Sequence, residues 1–326
     1  MTTQNPRPLK KFEAHGAFTE LDQLIQLHLC AKDFNLFARR KSESLLAGPN
    51  RTNFRGRGVD FEEVRIYQPG DDIRSIDWRV TARTQQPHTK LYREERERPV
   101  LVVVDQRRNM FFGSQVAFKS VVAAEVASIL AWAGLCHSDK IGGLVFNDTQ
   151  HQEIRPKRSK QTVLQLINTV HRYNHQLNRE QVIQPDSFSK VTEYLRRIAK
   201  PGSAIFFISD FEGINEDAQK HLHHLSRHCD IHAVFVFDDM EKNLPKPGQY
   251  TVTDGQQRFR LYTGQKALRE NYLLRFQQKL KSLQDNLGRL GIPVIPMATH
   301  DSVTANLQLY FGKRSLRNRQ KAVNLR

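Results

Sequence analysis

Residues 100–105 read VLVVVD and residues 204–210 read AIFFISD, and these two apolar runs, each closed by an aspartate, decide the fold. Continuous runs of β-branched and aromatic residues predict strands that are buried on both faces of a sheet. An apolar stretch at 116–135 and amphipathic stretches at 159–170 and 188–199 lie between them and predict helices. Strands that alternate with helices predict an α/β domain with a doubly wound, mostly parallel sheet.

The same alternation continues to the end of the chain. It predicts strands at 141–146, 231–237 and 293–297, an antiparallel partner at 152–155, and helices at 217–228, 265–290 and 303–310. Two short β-runs within 245–263 flank Asp254-Gly255, which is a hairpin signal. A dinucleotide site is disfavoured, because no glycine-rich fingerprint follows the first strand. The chain also lacks a P-loop motif, so any ATP hydrolysis would come from a partner.

A second informative segment, residues 61–78, precedes the first buried strand and reads FEEVRIYQPGDDIRSIDW. Pro69-Gly70 predicts a tight turn, and the aspartates after it predict caps. Charges of both signs beside apolar residues predict a small folded module with ion pairs. Within it we expect Trp78 to be buried and Asp77 to pair with a nearby arginine.

This segment resembles the signature of a bacterial family known as domain of unknown function fifty-eight. The resemblance covers Leu21 to Gly312 and begins in the signature at Gly56-Arg57-Gly58. The signature residues of the module are Arg65, Tyr67, Gly70, Asp71, Asp72, Arg74, Asp77, Trp78 and Arg83. Family members resemble a von Willebrand factor A domain that follows the signature, and they are typically found with MoxR-type AAA+ ATPases. The resemblance therefore implies a sheet of von Willebrand factor A type with an N-terminal helical and β extension, and such an ATPase as a partner.

Four segments make up the predicted domain organisation. Residues 1–18 are polar and predicted to be disordered, and residues 19–98 hold an N-terminal helix and the signature module. Residues 99–312 form the α/β domain, and residues 313–326 form a basic tail.

The ends of the two buried strands are the candidate site. In open α/β sheets, ligands bind beyond the carboxyl ends of the strands where the strand order reverses. Asp105 and Asp210 end two strands that we expect to be neighbours, and two carboxylates there can hold a divalent cation. The family resemblance implies a metal-dependent adhesion site at this place, with the motif D-x-S-x-S. This chain has Arg107 and Asn109 at the two serine positions.

Three interpretations of this departure are open. In the first, Arg107 pairs with Asp105 or Asp210 and replaces the metal, which leaves an interaction surface without a cofactor. In the second, Arg107 points outward and a weak Mg²⁺ site survives on Asp105, Asn109 and Asp210. In the third, the aspartates only cap the helices that follow. The first is favoured, because an arginine is always charged and can only donate.

Other candidates are weaker. The threonine of the adhesion site could be assigned only to Thr162 or to Ser159 nearby. His224 and His228 have the i, i+4 spacing of a metal pair, but no further ligand completes a set. A stripe suited to a coiled-coil seam or to a helix that covers a sheet comprises Leu273, Phe276, Leu280, Leu283, Leu287 and Leu290. We favour the sheet-covering helix for the stripe.

Charge indicates an acidic partner. The chain has 50 Lys and Arg residues against 34 Asp and Glu residues, a net charge of +16 and a pI near 9.9. Nucleic acid, an anionic membrane and an acidic protein face all fit such a balance. The basic tail at 313–326 has no acidic residue, yet no aromatic residues are interleaved with it, so we expect at most weak, non-specific binding to nucleic acid or membrane.

Cysteine usage and hydropathy bear on the cellular location. The three cysteines are far apart in the sequence and form no metal or disulfide pattern. No apolar core of a signal peptide occurs near the amino terminus. The apolar stretch at 116–135 is interrupted by Lys119, Glu125 and Ser128, which favours a buried helix over a membrane span. The sequence therefore predicts a cytoplasmic protein.

Together these observations predict a non-enzymatic interaction protein, an adaptor or substrate-recruiting partner of a MoxR-type AAA+ ATPase, with a possible further protein client. The predicted partner edge comprises Asp105, Arg107, Asn109, Met110 and Asp210. One alternative is a metal-dependent hydrolase or nuclease that uses Asp105 and Asp210. Another is charge-driven binding to nucleic acid or an anionic membrane through the tail.

Overall fold

The computed structural model describes residues 15–36, 59–69, 71–94, 99–178, 184, 186–253 and 258–312. The chain divides into two units, of which one takes in residues 37–97 and the other residues 1–36 and 98–326. The described strands are β1 Val59–Ile66, β2 His88–Glu94, β3 Pro99–Asp105, β4 Lys140–Phe146, β5 His151–Lys157, β6 Ala204–Ser209, β7 Asp230–Phe237, β8 Gln249–Thr253, β9 Arg258–Tyr262 and β10 Val294–Ala298. The described helices are α1 Leu21–Gln26, α2 His28–Ala31, α3 Trp78–Thr84, α4 Lys119–Cys136, α5 Lys160–His175, α6 Ser187–Ile198, α7 Glu216–Ser226, α8 Asp239–Lys242, α9 Lys266–Arg289 and α10 Val303–Phe311.

The larger unit is built on a sheet of six strands. Their order is β10-β7-β6-β3-β4-β5, and all neighbours are parallel except β4 and β5. Along the chain, β4 is added on one side of β3 and β5 follows it there. The next strand, β6, then lies on the other side of β3, so the direction of winding reverses. The doubly wound, mostly parallel sheet predicted from the sequence is therefore confirmed. Residues 100–104 of β3 are no more than 2% exposed, as expected for a central strand.

Helices cover both faces of this sheet. Alternate residues of β3, Leu101 and Val103, join an apolar cluster that also contains side chains from α6, α7 and α9. In that cluster Phe276 and Leu287 of α9 are buried. The leucine stripe of α9 is therefore a sheet-covering face, as predicted. His224 and His228 are exposed.

Helix α4 covers the opposite face and is buried almost all round, as its apolar sequence predicts. Gly134 permits the close approach, since an added Cβ there would lie 2.4 Å from Cδ1 of Ile141 in β4. By length and composition alone, α4 is long and apolar enough to cross a membrane, but 89% of that span is buried inside the protein. Burial against the sheet accounts for its composition.

The N-terminal boundary predicted from the sequence is wrong. Helices α1 and α2 belong to the larger unit and not with the signature module, because α1 packs on α5 and α2 packs on α4. Residues 15–18, predicted to be disordered, are ordered: the N–H of Gly16 donates to the carbonyl of Val116 at 2.9 Å. The N–H of Thr19 donates to Oδ1 of Asn174 at 2.8 Å. Residues 1–14, the basic tail 313–326 and the Asp254-Gly255 turn lie outside the described residues.

Candidate functional site

A row of buried polar residues follows the parallel strands at their carboxyl edge. They are Asp148 after β4, Asp105 at the end of β3, Asp210 after β6, Asp238 after β7 and Thr299 after β10. The strand order reverses between β3 and β6, and that is where this fold class opens a ligand crevice. Asp105 and Asp210 thus flank the switch point, as predicted.

The guanidinium of Arg107 forms an ion pair with the carboxylate of Asp105. Its Nε lies 3.1 Å from both carboxylate oxygens and its Nη2 lies 2.8 Å from Oδ2. The backbone N–H of Arg107 donates to Oδ1 at 2.9 Å, and the hydroxyl of Ser209 donates to Oδ2 at 2.6 Å. Asp105 is completely buried, so protein donors satisfy both of its oxygens.

Asp210 lies between two cations. Nζ of Lys119 is 2.9 Å from its Oδ2, and Nη2 of Arg107 is 3.5 Å from its Oδ1. The same Nζ is 2.9 Å from Oε1 of Glu241. We call the resulting chain of Asp105, Arg107, Asp210, Lys119 and Glu241 the charge cluster. It holds three carboxylates and two cations, and all of it except Glu241 is buried.

Aromatic rings fix the position of the Arg107 guanidinium. Its Cζ lies 5.2 Å from the ring centroid of Phe188 in α6 and 5.8 Å from that of Phe146 in β4. A cation over an aromatic face is stabilised by the ring quadrupole, more so away from water. Nη2 also donates to the carbonyl of Glu212 at 3.1 Å. Arg107 therefore points into the sheet edge and not outward.

The two cations stay charged despite burial. Burial opposes the charge of Arg107, but Asp105 and then Asp210 raise its pKa above the ordinary value. Burial likewise opposes the charge of Lys119, whose pKa Asp210 and Glu241 raise. Burial disfavours the charge of Asp210 too, yet Lys119 and Arg107 bring its pKa below the usual range. Complete burial raises the pKa of Asp105, and Arg107 is the main group that opposes this rise.

Asp238 ties the loop before α4 to the end of β7. It accepts hydrogen bonds from the hydroxyls of Ser114 and Thr299, and from the N–H of Ser114 at 3.0 Å. It also caps α8, since the N–H of Met240 donates to its Oδ1 at 2.9 Å. Its own N–H donates to Glu241 at 2.8 Å, which completes a capping box. The backbone N–H of Asp238 thus orients Glu241, which contacts Lys119, and the carboxylate of Asp238 holds two edge segments together.

Three exposed apolar side chains lie on the loop before α4 and on helix α8. Phe112, Val116 and Met240 are 39%, 40% and 37% exposed, and we call them the edge patch. Ser114 and Gln115 between the first two are bonded to Asp238 and Asp239, so the two segments are neighbours. The carboxyl edge therefore offers apolar surface beside a neutralised polar row.

The predicted partner edge needs one correction. Asp105, Arg107 and Asp210 are brought together, but Met110 is fully buried and cannot contact a partner. A short 3-10 helix at Arg108–Met110, closed by a bond from the N–H of Met110 to the carbonyl of Arg107, turns that side chain into the core. Asn109 lies in the same turn and is partly exposed.

The loosely assigned threonine position does not join the site. Ser159 caps α5, with its hydroxyl accepting from the N–H of Gln161 at 3.1 Å. Thr162 is buried in the first turn of that helix. Among the contacts of the described residues, neither reaches Asp105 or Asp210.

Several functional residues escaped the sequence reasoning. Lys119 was noted only as an interruption of an apolar stretch, although a single lysine at the start of a buried helix is itself a signal of a buried partner. Glu241 and Ser209 carry no pattern that marks them. Asp148 accepts from the N–H of Arg108 at 2.8 Å and helps to hold the loop after β3.

These residues do not fit a divalent cation. Mg²⁺ takes oxygen ligands and needs carboxylates that are free to approach it. Both oxygens of Asp105 are held by Arg107 and Ser209, and Asp210 is held by Lys119. Within the described part of the chain, no group of three or more His, Cys, Asp or Glu residues is placed to hold a metal. The alternative Mg²⁺ site on Asp105, Asn109 and Asp210 is therefore not supported by the geometry.

We expect calorimetry to detect weak Mg²⁺ or Mn²⁺ binding at most, because the guanidinium of Arg107 takes the place of the ion. The double variant Arg107→Ser, Asn109→Ser should gain binding, seen as a rise in melting temperature with added Mg²⁺. Adding Asp105→Asn to that variant should abolish the gain. A stoichiometric micromolar site in the natural protein, lost in Asp105→Ala, would contradict this expectation.

The signature module is the smaller unit and has its own ion pairs. β1 and β2 pair as an antiparallel hairpin. Nη2 of Arg65 lies 2.7 Å from Oδ1 of Asp71. Asp72 and Asp77 each accept from the backbone N–H two residues further on, both at 3.0 Å. The aspartates of this segment are thus caps and ion-pair partners.

The remaining signature residues form hydrogen bonds within the module, are exposed, or lie outside the described residues. The N–H of Tyr67 donates to the carbonyl of Pro87 at 2.7 Å, close to the end of the hairpin. The backbone N–H of Arg74 is the donor to Asp72, and Arg83 is exposed in the last turn of α3. Gly56-Arg57-Gly58 and Gly70 lie outside the described residues.

Two expectations for the module are wrong. Trp78 is 69% exposed: it is the first residue of the short helix α3, and the described residues of the unit do not cover it. Asp77 pairs with a lysine and not an arginine: its Oδ2 lies 3.3 Å from Nζ of Lys90. Asp77 also accepts from the N–H of Val80 at 3.3 Å, so capping of α3 is its main contribution.

Trp78→Ala should change the free energy of unfolding by no more than about 0.5 kcal/mol, as is usual for surface substitutions. Urea unfolding measures this directly. Asp77→Ala is the matched comparison and should be clearly more destabilising, because α3 then loses its cap. Insoluble or unfolded Trp78→Ala protein would show that this side chain is covered in solution.

Comparisons with known proteins place the chain in a family and identify relatives of similar length. The family described as "Protein of unknown function DUF58" matches residues 63–281. The chain is similar to "Uncharacterized protein Rv1480" of Mycobacterium tuberculosis, with 24% identity over 294 residues, which cover 89% of this chain and 90% of that protein. "Uncharacterized protein Mb1516" of Mycobacterium bovis matches with the same identity and coverage.

Solved structures with a similar fold are remote in sequence. The BatB protein of Bacteroides thetaiotaomicron matches with a TM-score of 0.34 and 12% identity, over 60% of this chain and 98% of that one. An aerotolerance-related membrane protein of Bacteroides fragilis matches with a TM-score of 0.38 and 13% identity, over 65% and 95%. The SpRpn10 VWA domain matches with a TM-score of 0.32 and 8% identity, over 64% and 93%. One of these matches is thus a von Willebrand factor A domain.

The predicted cytoplasmic location is contradicted by these comparisons. One of the matching structures is described as an aerotolerance-related membrane protein. The prediction rested on cysteine usage and on the lack of a signal-peptide core, and neither property excludes attachment to a membrane. The cytoplasmic assignment is withdrawn.

Proposed function

This chain belongs to the family described as "Protein of unknown function DUF58", and we propose that it is an adaptor of a MoxR-type AAA+ ATPase and not an enzyme. Its fold of von Willebrand factor A type is that of a protein-interaction module. The identity of the partner rests on the family resemblance of the signature segment. A client protein recruited to the ATPase would be a further partner.

The observation that carries the proposal is the neutralisation of the ligand edge by the protein's own cations. Arg107 and Lys119 hold Asp105 and Asp210 at 2.8 and 2.9 Å, where the family pattern has a metal. A hydrolase or nuclease would need one of these carboxylates to be free for a metal or a water. The side chains of Asp105 and Asp210 are only 0% and 5% exposed, so the hydrolytic alternative has no support in the geometry.

The edge patch supplies the contact surface for such an adaptor. Apolar side chains surrounded by polar ones are the usual centre of a protein interface. Phe112 and Val116 lie on the loop before α4 and Met240 lies in helix α8, and Asp238 at the end of β7 bonds to both segments, so the patch is preformed. Preorganisation of this kind lowers the entropic cost of binding.

Co-purification with the MoxR-type ATPase of the same organism tests the proposal. Val116→Asp and Met240→Asp should each abolish the complex, because a charge is then placed in the centre of the interface. Leu309→Asp is the matched control: Leu309 is 71% exposed on α10, away from the segments of the edge patch in the sequence. The complex should survive that change. Survival in both patch variants would contradict the proposal.

A second arm addresses charge-driven binding by the basic tail. Removal of residues 313–326 should weaken any binding to nucleic acid or anionic lipid but leave the ATPase complex intact. Exposed charges are screened over about 8–10 Å at physiological salt, so the tail would add salt dependence more than specificity. Loss of the ATPase complex in the tail deletion alone would favour charge-driven binding.

A further inference from the structure

The ribbon of β8 and β9 is exposed along its length. All five residues of β8 are exposed, and Leu261 is the one partly buried residue of β9. The two strands pair only with each other among the described residues. A two-stranded ribbon by itself is at best marginally stable in water. This ribbon is therefore an element for which the described chain supplies no packing layer.

The base of the ribbon is held firmly in the larger unit. The N–H of Thr263 donates to the carbonyl of Gly248 at 2.9 Å, and its hydroxyl donates to the carbonyl of Lys246 at 2.8 Å. Thr263 is completely buried. The guanidinium of Arg269 in α9 donates to the carbonyls of Leu244, at 3.0 Å, and Pro245. The ribbon thus starts and ends at fixed points, so it is a positioned element and not a loose loop.

The register gives the ribbon two unlike faces. The cross-strand pairs are Tyr250 with Leu261 and Val252 with Phe259 on one face, and Gln249 with Tyr262, Thr251 with Arg260 and Thr253 with Arg258 on the other. The first face is wholly apolar, with Tyr250, Val252 and Phe259 at 36%, 47% and 56% exposed. The second face is cationic at Arg258 and Arg260, and Tyr262 lies at its base. From Arg258 to Leu261, basic and apolar side chains therefore alternate along β9.

The outer edge of β9 can accept another strand. On an added antiparallel strand, side chains stand directly opposite those of β9, and opposite charges in such pairs are stabilising. Acidic residues would face Arg258 and Arg260, and apolar residues between them would extend the apolar face beside Phe259. An open strand edge cannot satisfy its N–H and C=O groups in lipid, so a peptide fits this edge better than a membrane.

The charges of the three longest segments outside the described residues make these segments poor occupants of this edge. Residues 242–266, which contain the ribbon, carry five basic residues and one acidic residue. Residues 1–14, 37–58 and 313–326 each contain more basic than acidic residues. Like charges that face each other across a strand pair are destabilising. The occupant therefore comes from another molecule.

We propose that β9 binds an extended segment of an acidic protein as a third, antiparallel strand, in which acidic and apolar residues alternate. This mode is strand addition at a sheet edge, where main-chain hydrogen bonds give affinity and alternate side chains give specificity. The site shares no residue with the edge patch, and the proposal goes beyond the adaptor function.

Fluorescence anisotropy with dye-labelled synthetic peptides tests this. The full chain should bind a short peptide of alternating glutamate and valine, but not one of alternating lysine and valine. A peptide of the same composition with glutamates and valines in separate blocks should bind at least about tenfold more weakly. N-methylation of the backbone amides that face β9 should abolish binding, because it removes the strand hydrogen bonds without a change in charge.

Variants of the protein complete the test. The double variant Arg258→Glu, Arg260→Glu should no longer bind the glutamate peptide and should bind the lysine peptide instead. Arg196→Glu, Arg289→Glu is the matched control, since both arginines are exposed on α6 and α9 and the charge change is the same. Circular dichroism confirms that each variant is folded. Val116→Asp should bind the peptide normally, so failure of this proposal is distinguishable from failure of the adaptor function.

Three results would overturn the proposal. The first is equal binding of the alternating and block peptides, which would indicate unspecific charge attraction. The second is unaffected binding of the N-methylated peptide, which would exclude strand addition. The third is co-sedimentation with vesicles of phosphatidylserine and phosphatidylcholine that is lost in Arg258→Glu, Arg260→Glu, without peptide binding, which would make the ribbon a membrane contact.

Discussion

Replacement of Arg107 by leucine is expected to lower the free energy of unfolding by about 3–5 kcal/mol, the usual cost of removing one partner of a buried ion pair. The change leaves Asp105 fully buried with the Ser209 hydroxyl and a backbone N–H as its remaining donors. Burial already raises the pKa of Asp105, so without Arg107 the carboxyl would be protonated or the site would open. Urea unfolding, which does not screen charges, is the measurement.

Two comparisons separate this effect from a mere loss of packing. Arg196→Leu removes an exposed arginine of α6 and should change the free energy of unfolding by no more than about 0.5 kcal/mol. Asp105→Asn combined with Arg107→Leu should recover part of the loss, because no uncompensated charge is then buried. A double variant that is as unstable as the sum of the two single changes would contradict the ion-pair explanation.

Lys119→Met is expected to have the second largest effect, and we place it toward the lower end of about 3–5 kcal/mol. Asp210 would lose the ammonium at 2.9 Å but would keep Arg107 at 3.5 Å. Glu241 would lose its partner too, but its side chain is 32% exposed and can be hydrated. Lys119 begins α4, where the helix dipole disfavours a cation, so its position there depends on these two carboxylates.

The pH dependence gives Lys119→Met a signature that a simple packing defect lacks. The pKa of Asp210 is below its usual value of about 3.9, so its contribution to stability is present above that pH and is lost on acidification. Without Lys119 the pKa of Asp210 should rise. The difference in the free energy of unfolding between the natural protein and Lys119→Met should therefore be largest at neutral pH. It should become smaller as the pH falls and Asp210 becomes protonated.

Lys279→Met is the matched control for this experiment. Nζ of Lys279 lies 2.6 Å from Oε2 of Glu212, but both side chains are about half exposed, so the pair should matter little. If Lys119→Met lowers the free energy of unfolding by the same amount at neutral and acidic pH, Lys119 acts through packing alone. If Lys119→Met lowers the free energy of unfolding as little as Lys279→Met does, Asp210 tolerates the loss of its nearest cation.

The strands and helices of the larger unit could be predicted because their signals are local. The run at 100–104 can be buried only as a central strand, and the stripe of α9 matches one sheet face. The carboxyl edge could be predicted as well, since Asp105 and Asp210 directly follow such runs. These inferences need only the periodicity of a strand or a helix and the rule that parallel strands end at one edge.

The errors have a common physical origin. Trp78 was expected to be buried because tryptophan usually is, but burial depends on whether another layer covers α3. Met110 was placed on the partner edge by its distance from Asp105 in the sequence, whereas a 3-10 turn directs it into the core. The sequence groups the residues of α1 and α2 with the signature module, which follows them in the chain. In the structure these two helices pack on α5 and α4 instead.

The sequence alone determined the fold class, the switch point between Asp105 and Asp210, and the presence of an arginine where the family pattern has a serine. Only the tertiary structure decided that Arg107 points inward, and that Lys119 and Glu241, far away in the sequence, complete the charge cluster. The reason is that strand and helix signals arise from neighbours along the chain. The partner of a buried charge is set by which side chains the packed sheet edge brings within a few ångströms.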